Sequence, residues 1–306
     1  MKLIFKLIML KNIIKKIENT VPIVVLTIIV TCAFYFRFKN LGIHGLSCDE
    51  YITGAVPNFV NRRCFIFSWI MNGYANIVVW LSGCNFVPES ILRLPSAVTS
   101  IITIPVLWVL GKKLKNKYVS LLLISLYSFS FYLISYARDA RFYPLYFFGS
   151  SLVCLCIIII LSNNFNNKKQ EYLTYFLYAF SIVFTMGNHQ GAYLLFATTN
   201  IYLFIYLLVI ACKNISKEGK KSVLRELFFK LFIIAIPLFA ISWHLYKISR
   251  GEMGTINDVI SANQLDSVGK ILPKFAWSEL NLIQKSFWQG TFFSKYYFFV
   301  TVIASL

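Results

Sequence analysis

Three carboxylates are the residues best suited to move a proton. Asp49 and Glu50 are adjacent in the stretch CDEY, and Asp139 lies in YARDARFYP. Neighbouring side chains on any regular element point in different directions. One of the first pair can therefore face a reaction centre while the other holds structure, a cation or a hydroxyl. A carboxylate at the edge of a membrane, partly stripped of water, is suited to act as a general base. A solvated pair of loop carboxylates is the plainer reading of the same residues.

YARDARFYP adds Arg138 and Arg141, three apart, which share a face if the segment is helical. Pro144 suits the first turn of a following helix, whose N-terminal dipole favours anions. Two guanidinium forks there could grip a phosphate. They could equally anchor helix ends at the interface, with Asp139 held between them. His189, in GNHQGAY, could orient a phosphate or sugar, or satisfy backbone at a helix break. Lys247 and Arg250 could meet a lipid phosphate or serve as interface anchors.

What must position these groups is set by composition. The 306 residues are 58% hydrophobic and only 14% charged, with mean hydropathy +0.67. Soluble domains carry about a quarter charged residues. Uncharged runs occur at 19–36, 94–111, 118–137, 142–167, 172–212 and 231–246. Most are long enough for a hydrocarbon core of roughly 30 Å, and 172–212 is long enough for two spans, with TMGNHQGAY breaking it. The expectation is an all-α polytopic membrane protein with seven spans before residue 247 and an eighth opening near Tyr296. Its segments would be a basic amphipathic stretch at 1–20, a transmembrane module at 21–246 with its first outer loop at 37–90, an outer loop at 247–295, and the start of a further, truncated span at 296–306.

The net charge of +18 does not point to nucleic acid, because the basic residues sit in short segments beside apolar runs and no RNA-binding or zinc-finger motif accompanies them. With the N-terminus in the cytoplasm, segments 112–117, 163–171 and 213–230 fall inside, and the inner segments hold more than half of the 30 lysines and arginines. All four aspartates, Asp49, Asp139, Asp258 and Asp266, then lie outside. Segment 64–81 is uncharged, but Ser68, Asn72 and Asn76 form a stripe, so it reads as an amphipathic helix at the outer interface rather than a span. The seven cysteines show no CxxC pair or zinc spacing. No nucleotide-binding glycine loop is visible. The sequon Asn214-Ile215-Ser216 falls on the cytoplasmic side and should be unused.

These features, in this order, resemble the GT-C superfamily of membrane glycosyltransferases, above all bacterial relatives of the protein O-mannosyltransferases and aminoarabinose transferases. The resemblance covers about residues 20–250. It is carried by CDEY, by ILRLPSAVTSIITIPVLWVLGKKL, by SYARDARFYPLYFF and by TMGNHQGAYLLF. It implies a GT-C-like bundle of about seven to eight transmembrane helices with amphipathic helices on the outer face. By this likeness Asp49 matches the catalytic acidic position and Glu50 its neighbour. Asp139 matches the second acidic position, where the family usually has Glu, and Arg141 and Tyr143 follow it. Arg93 and Pro95 match the start of the second span, and His189 the family histidine.

The implied donor is a sugar on a polyprenyl-phosphate carrier, and the implied acceptor an envelope glycan, lipid or protein on the outer face of a bacterial plasma membrane. The resemblance implies no certain cofactor, and Asp49, Glu50 and Asp139 could share a divalent cation. The rival expectation is a flippase for a polyprenyl-linked sugar or other anionic lipid.

Overall fold

The computed structural model of the chain describes residues 2–42, 65–83, 87–163, 165–189 and 191–249, and the regular structure among them is entirely α-helical. In chain order the helices are α1 (Lys2–Phe38), α2 (Phe65–Ser82), α3 (Glu89–Leu114), α4 (Lys117–Phe129), α5 (Phe131–Arg138), α6 (Tyr143–Ser162), α7 (Lys168–Asn188), α8 (Ala192–Glu218) and α9 (Lys220–Ser249). The expected eighth span near Tyr296 lies outside the described residues, as does the loop at 250–295.

Local chemistry sets several boundaries. The Asn116 side chain accepts from the backbone N–H groups of Tyr118 and Val119 and opens α4. Asn167 accepts from the Gln170 N–H, while the Gln170 side chain accepts from the Asn166 N–H, a reciprocal cap on α7. Gly219, at φ +82°, separates α8 from α9. The basic stretch 213–230 is therefore two helix ends meeting at a single residue rather than an open loop. Likewise α1 runs unbroken through residues 2–20 of the N-terminal segment and on past Pro22.

Among the described residues four helical segments are long and apolar enough to cross a membrane: Thr20–Phe38, α3, α6 and Ala192–Ile215. α4 and α5 make a fifth if the pair, bent by 59° at Ser130, counts as one span. This matches an integral membrane protein. So do the outward faces, where Ile201, Phe204, Phe232 and Phe239 are exposed and a soluble bundle would carry charge.

Of the seven spans expected before residue 247, α7 and α9 form helices but are not among these four or five. For α7 the reason is its place in the bundle. It packs against α2, α6, α8 and α9 and buries Thr174, Tyr175, Tyr178, Ser181, Thr185 and Asn188. A helix with four packed neighbours can spend polar residues on interhelical contacts. The Tyr178 hydroxyl, for example, bonds Thr199 and Asn200 of α8 at 2.8 and 2.7 Å.

Three apolar clusters hold the described residues together. Ile29, Ala33, Ile104, Ile124 and Tyr127 join α1, α3 and α4. Tyr175, Tyr178, Ile182, Leu203 and Ile233 are among those that join α7, α8 and α9. Phe67, Met71, Leu92, Ala140 and Leu145 bind α2 to α3 and to the loop before α6. Two glycines permit close helix approach. A Cβ on Gly111 would lie 2.4 Å from the Ser120 Cα, and one on Gly149 would lie 2.4 Å from the Thr185 Oγ1.

The helix at 64–81 forms as α2, and it is not among the candidate spans. Its Tyr74 hydroxyl donates to the Ile91 carbonyl at the start of α3, and Phe67 meets Phe142 edge-on. Trp69 and Trp80 are exposed. The polar stripe differs from expectation: Ser68 turns into the bundle and is buried, while Asn76 is exposed.

Candidate functional site

Arginines gather at the end of α1. After Phe38 the chain makes a turn in which Asn40 adopts a left-handed φ of 57°. The Arg93 guanidinium, buried near the start of α3, donates to the Leu41 carbonyl at 2.9 Å. Arg138, at the last residue of α5, donates to the Asn40 carbonyl at 3.2 Å. Two helices, α3 and α5, thus grip the short tail from which the first loop departs. Asp49 and Glu50, on that loop, lie outside the described residues.

The YARDARFYP segment is not a continuous helix, which changes the expected geometry. α5 stops at Arg138, and Asp139 is extended at φ −102°, ψ 144°. The Arg141 N–H returns to the Asp139 carbonyl at 2.8 Å. The Ser96 hydroxyl of α3 donates to the Arg141 carbonyl at 3.1 Å, and Ala140 is fully buried between them. Arg138 and Arg141 therefore do not share a helical face, and a two-pronged grip built on that spacing is absent. Arg138 instead pins backbone. Asp139, Arg141 and Tyr143 are half-buried on the same turn, and Pro144 sits at the start of α6 as expected.

His189 closes α7 beside this turn. Its ring stacks on Phe142 with centroids 5.1 Å apart and lies near Tyr146 at 5.0 Å and Tyr143 at 5.9 Å. Tyr136 stacks in turn on Tyr143 at 4.3 Å. The His189 Nδ1 accepts the Gly191 N–H at 2.9 Å, which leaves Nε2 as the donor nitrogen of a neutral ring. Burial pushes this imidazole below its ordinary 6.5. A Cβ on Gly191 would approach Nδ1 to 2.8 Å, so the close turn requires glycine there. The adjacent Asn188 is fully buried. Its Nδ2 donates to the Phe184 carbonyl, while its Oδ1 has no hydrogen-bond partner among the described residues.

Sequence reasoning missed Arg37. Its side chain has no exposed surface. Nε donates to the Ser100 hydroxyl at 2.7 Å, and the terminal nitrogens reach the carbonyls of Ala33, Ser128 and Tyr127, each at 3.2 Å. Its carbon also lies 5.2 Å from the centre of the Tyr127 ring. One guanidinium therefore caps the last carbonyls of α4 where the chain breaks toward α5. The local signal was that Arg37 sits inside an aromatic run, between Phe36 and Phe38, and not beyond it.

Of the remaining candidates, Lys247 falls on the backbone of α9, but its side chain and all of Arg250 lie outside the described residues. Among the described residues no group of three His, Cys, Asp or Glu side chains could hold a metal ion. The set of Asp49, Glu50 and Asp139 extends beyond those residues.

One end of the bundle thus collects Arg93, Arg138, Asp139, Arg141, Tyr143 and His189 through bonds that tie the ends of α1, α5 and α7 to the starts of α3, α6 and α8. No protein-family model, curated protein or solved structure matches the chain.

Proposed function

We propose that the protein is a membrane glycosyltransferase of GT-C type, moving a sugar from a polyprenyl-phosphate carrier to an envelope acceptor on the outer face of a bacterial plasma membrane. In this reading α7 and α9 are further spans, which gives seven before residue 247. The observation that carries it is the convergence of Arg93, Arg138, Asp139, Arg141, Tyr143 and His189 on the end of the bundle where the loop bearing Asp49 and Glu50 begins. A reaction at a membrane surface needs its charged groups on one side, beside the headgroups that carry the substrate.

Asp49 takes the proton of the acceptor hydroxyl as that oxygen attacks the anomeric carbon. The new bond joins acceptor oxygen to anomeric carbon, the bond from that carbon to the carrier phosphate breaks, and configuration inverts. The leaving polyprenyl phosphate carries the electron pair, and cationic groups at this end offset its growing charge. His189, neutral with Nε2 as donor, supplies a hydrogen bond and not a charge. The apolar tail contributes roughly 0.8 kcal/mol of binding per buried methylene, so the sugar head needs few contacts.

The test is transfer from a panel of radiolabelled polyprenyl-phosphate sugars to envelope acceptors by the detergent-purified chain. Wild type should transfer, and Asp49→Asn should lose transfer while still binding donor. Transfer by Asp49→Asn at the wild-type rate would remove Asp49 as the base.

A second reading, a lipid flippase, is favoured by one specific observation. Arg37 is a buried charge at a broken span, and Ser100, its partner, lies about 10 Å along α3 from Arg93. Buried charges and discontinuous helices are features of translocation paths. Scrambling of labelled carrier lipid in reconstituted vesicles, without sugar transfer, would select that reading.

A further inference from the structure

At the opposite end of the bundle, α7 and α9 begin side by side and enclose a cleft of about 280 Å³ lined by Lys168, Tyr172, Ser222, Arg225, Glu226 and Phe229. Its carboxylates are already matched. Glu226 meets Lys168 at 2.8 Å through one oxygen and Lys230 at 2.7 Å through the other, and Lys230 also holds Glu171 at 2.5 Å. Two carboxylates against two ammonium groups leave no net charge. Arg225 is then surplus: it makes no hydrogen bond or ion pair with any described residue and is exposed at the cleft. Lys169 and Lys221, in the first turns of the same helices, are exposed too.

The apolar side of the cleft is as specific as its charge. On α9, Arg225 is followed at helical spacing by Phe229 and Phe232, both exposed. On α7, Lys168 is followed by Tyr172 and then by the exposed Phe176. Tyr172 and Phe229 meet edge-on at 4.9 Å across the groove. Two parallel stripes thus run from cation at the helix start to aromatic surface farther along each helix. A free phosphate or nucleotide would use the first half of such a groove and leave the second bare. A phospholipid uses both.

We propose that this cleft is a binding site for an anionic phospholipid, with the headgroup phosphate on Arg225 and Lys168 and an acyl chain along Phe229, Phe232 and Phe176. Basic pockets between spans on the cytoplasmic side take such headgroups, and the positive-inside rule puts this end there. The site lies at the other end of the bundle from the candidate reaction centre and does not depend on what is transferred there.

Native mass spectrometry of the full chain, released from micelles doped with phosphatidylglycerol or phosphatidylcholine, tests it. Wild type should retain phosphatidylglycerol in preference, and Arg225→Gln should cut that retention about fivefold, with a similar loss for Lys168→Gln. Lys112→Gln, at the tip of α3, should change nothing, and Arg225→Lys should recover part of the loss. Arg225 is exposed and bonded to no described residue, so its replacement leaves the packing intact. Equal retention of the two lipids by wild type, or an undiminished preference in Arg225→Gln, overturns the proposal. Displacement of phosphatidylglycerol by millimolar inorganic phosphate would overturn the lipid assignment in favour of a free-anion site.

Discussion

The guanidinium of Arg37 donates to the carbonyl oxygen of Ser128, 91 residues farther along the chain, so a charge on the first span closes the end of a helix in another. The same group holds the Ser100 hydroxyl of α3. Replacing it by Met would leave two carbonyls at the α4 break and one buried hydroxyl with fewer partners. The expected cost is about 1–3 kcal/mol for each buried polar group left without a partner. Arg37→Lys, which keeps the charge but not the planar fork, should fall between. Thermal unfolding in detergent measures both, and a Met variant as stable as wild type would remove Arg37 as the cap.

Gly149 sets the separation of α6 and α7. A methyl group there meets the Thr185 Oγ1 at 2.4 Å and the Phe184 ring at 3.0 Å. Gly149→Ala should cost about 1–3 kcal/mol through overpacking. Thr185→Ala in the same chain should return part of that, giving a coupling that a double-mutant cycle detects. Additive effects would place the strain elsewhere.

His189 makes the fold sensitive to mild acid. Its folded-state pKa lies below the ordinary 6.5 because burial disfavours the charged ring. The unfolded chain therefore binds the proton first. Stability is fully present above the unfolded value and is lost as pH falls from there through the folded one. Unfolding temperature should drop as pH falls below about 6.5, and His189→Gln should flatten that slope.

The ion network between α7 and α9 should divide sharply by burial. Lys230 and Glu171 are about nine-tenths buried, whereas Lys168 is 69% exposed. Lys230→Met strands Glu171, leaves Glu226 only its bond to Lys168, and should cost about 3–5 kcal/mol. Lys168→Met should cost no more than about 1 kcal/mol. Denaturant unfolding in detergent compares them, and equal costs would contradict the burial argument.

Helical runs were legible because apolar length is a local property, and the break at His189–Gly191 was legible because glycine and polar residues mark it. The break at Ser130 was not. It lies inside an uncharged run without Pro or Gly, and what caps it is Arg37, which no neighbouring residue announces. The candidate site was half legible. Those of its residues that are described, Arg138, Asp139, Arg141, Tyr143 and His189, do gather at one end, but the arginine spacing in YARDARFYP suggested one helical face. The chain instead ends α5 at Arg138 and spends that side chain on the Asn40 carbonyl. Tertiary hydrogen bonding to backbone is the term that spacing alone omits.

The bend at Ser130 also has a consequence for the surrounding lipid. Straight, the residues of α4 and α5 would cover about 32 Å, slightly more than a hydrocarbon layer of roughly 30 Å. With α4 along the membrane normal and α5 turned 59° from it, the pair covers only about 26 Å. The exposed Phe131 and Tyr132 then lie along the shallow arm and not across the layer. Such a shortfall is hydrophobic mismatch confined to one side of the bundle. If α4 and α5 form one span, it would thin the adjoining leaflet beside Arg138 and Asp139 and bring lipid headgroups down to the level of those charges.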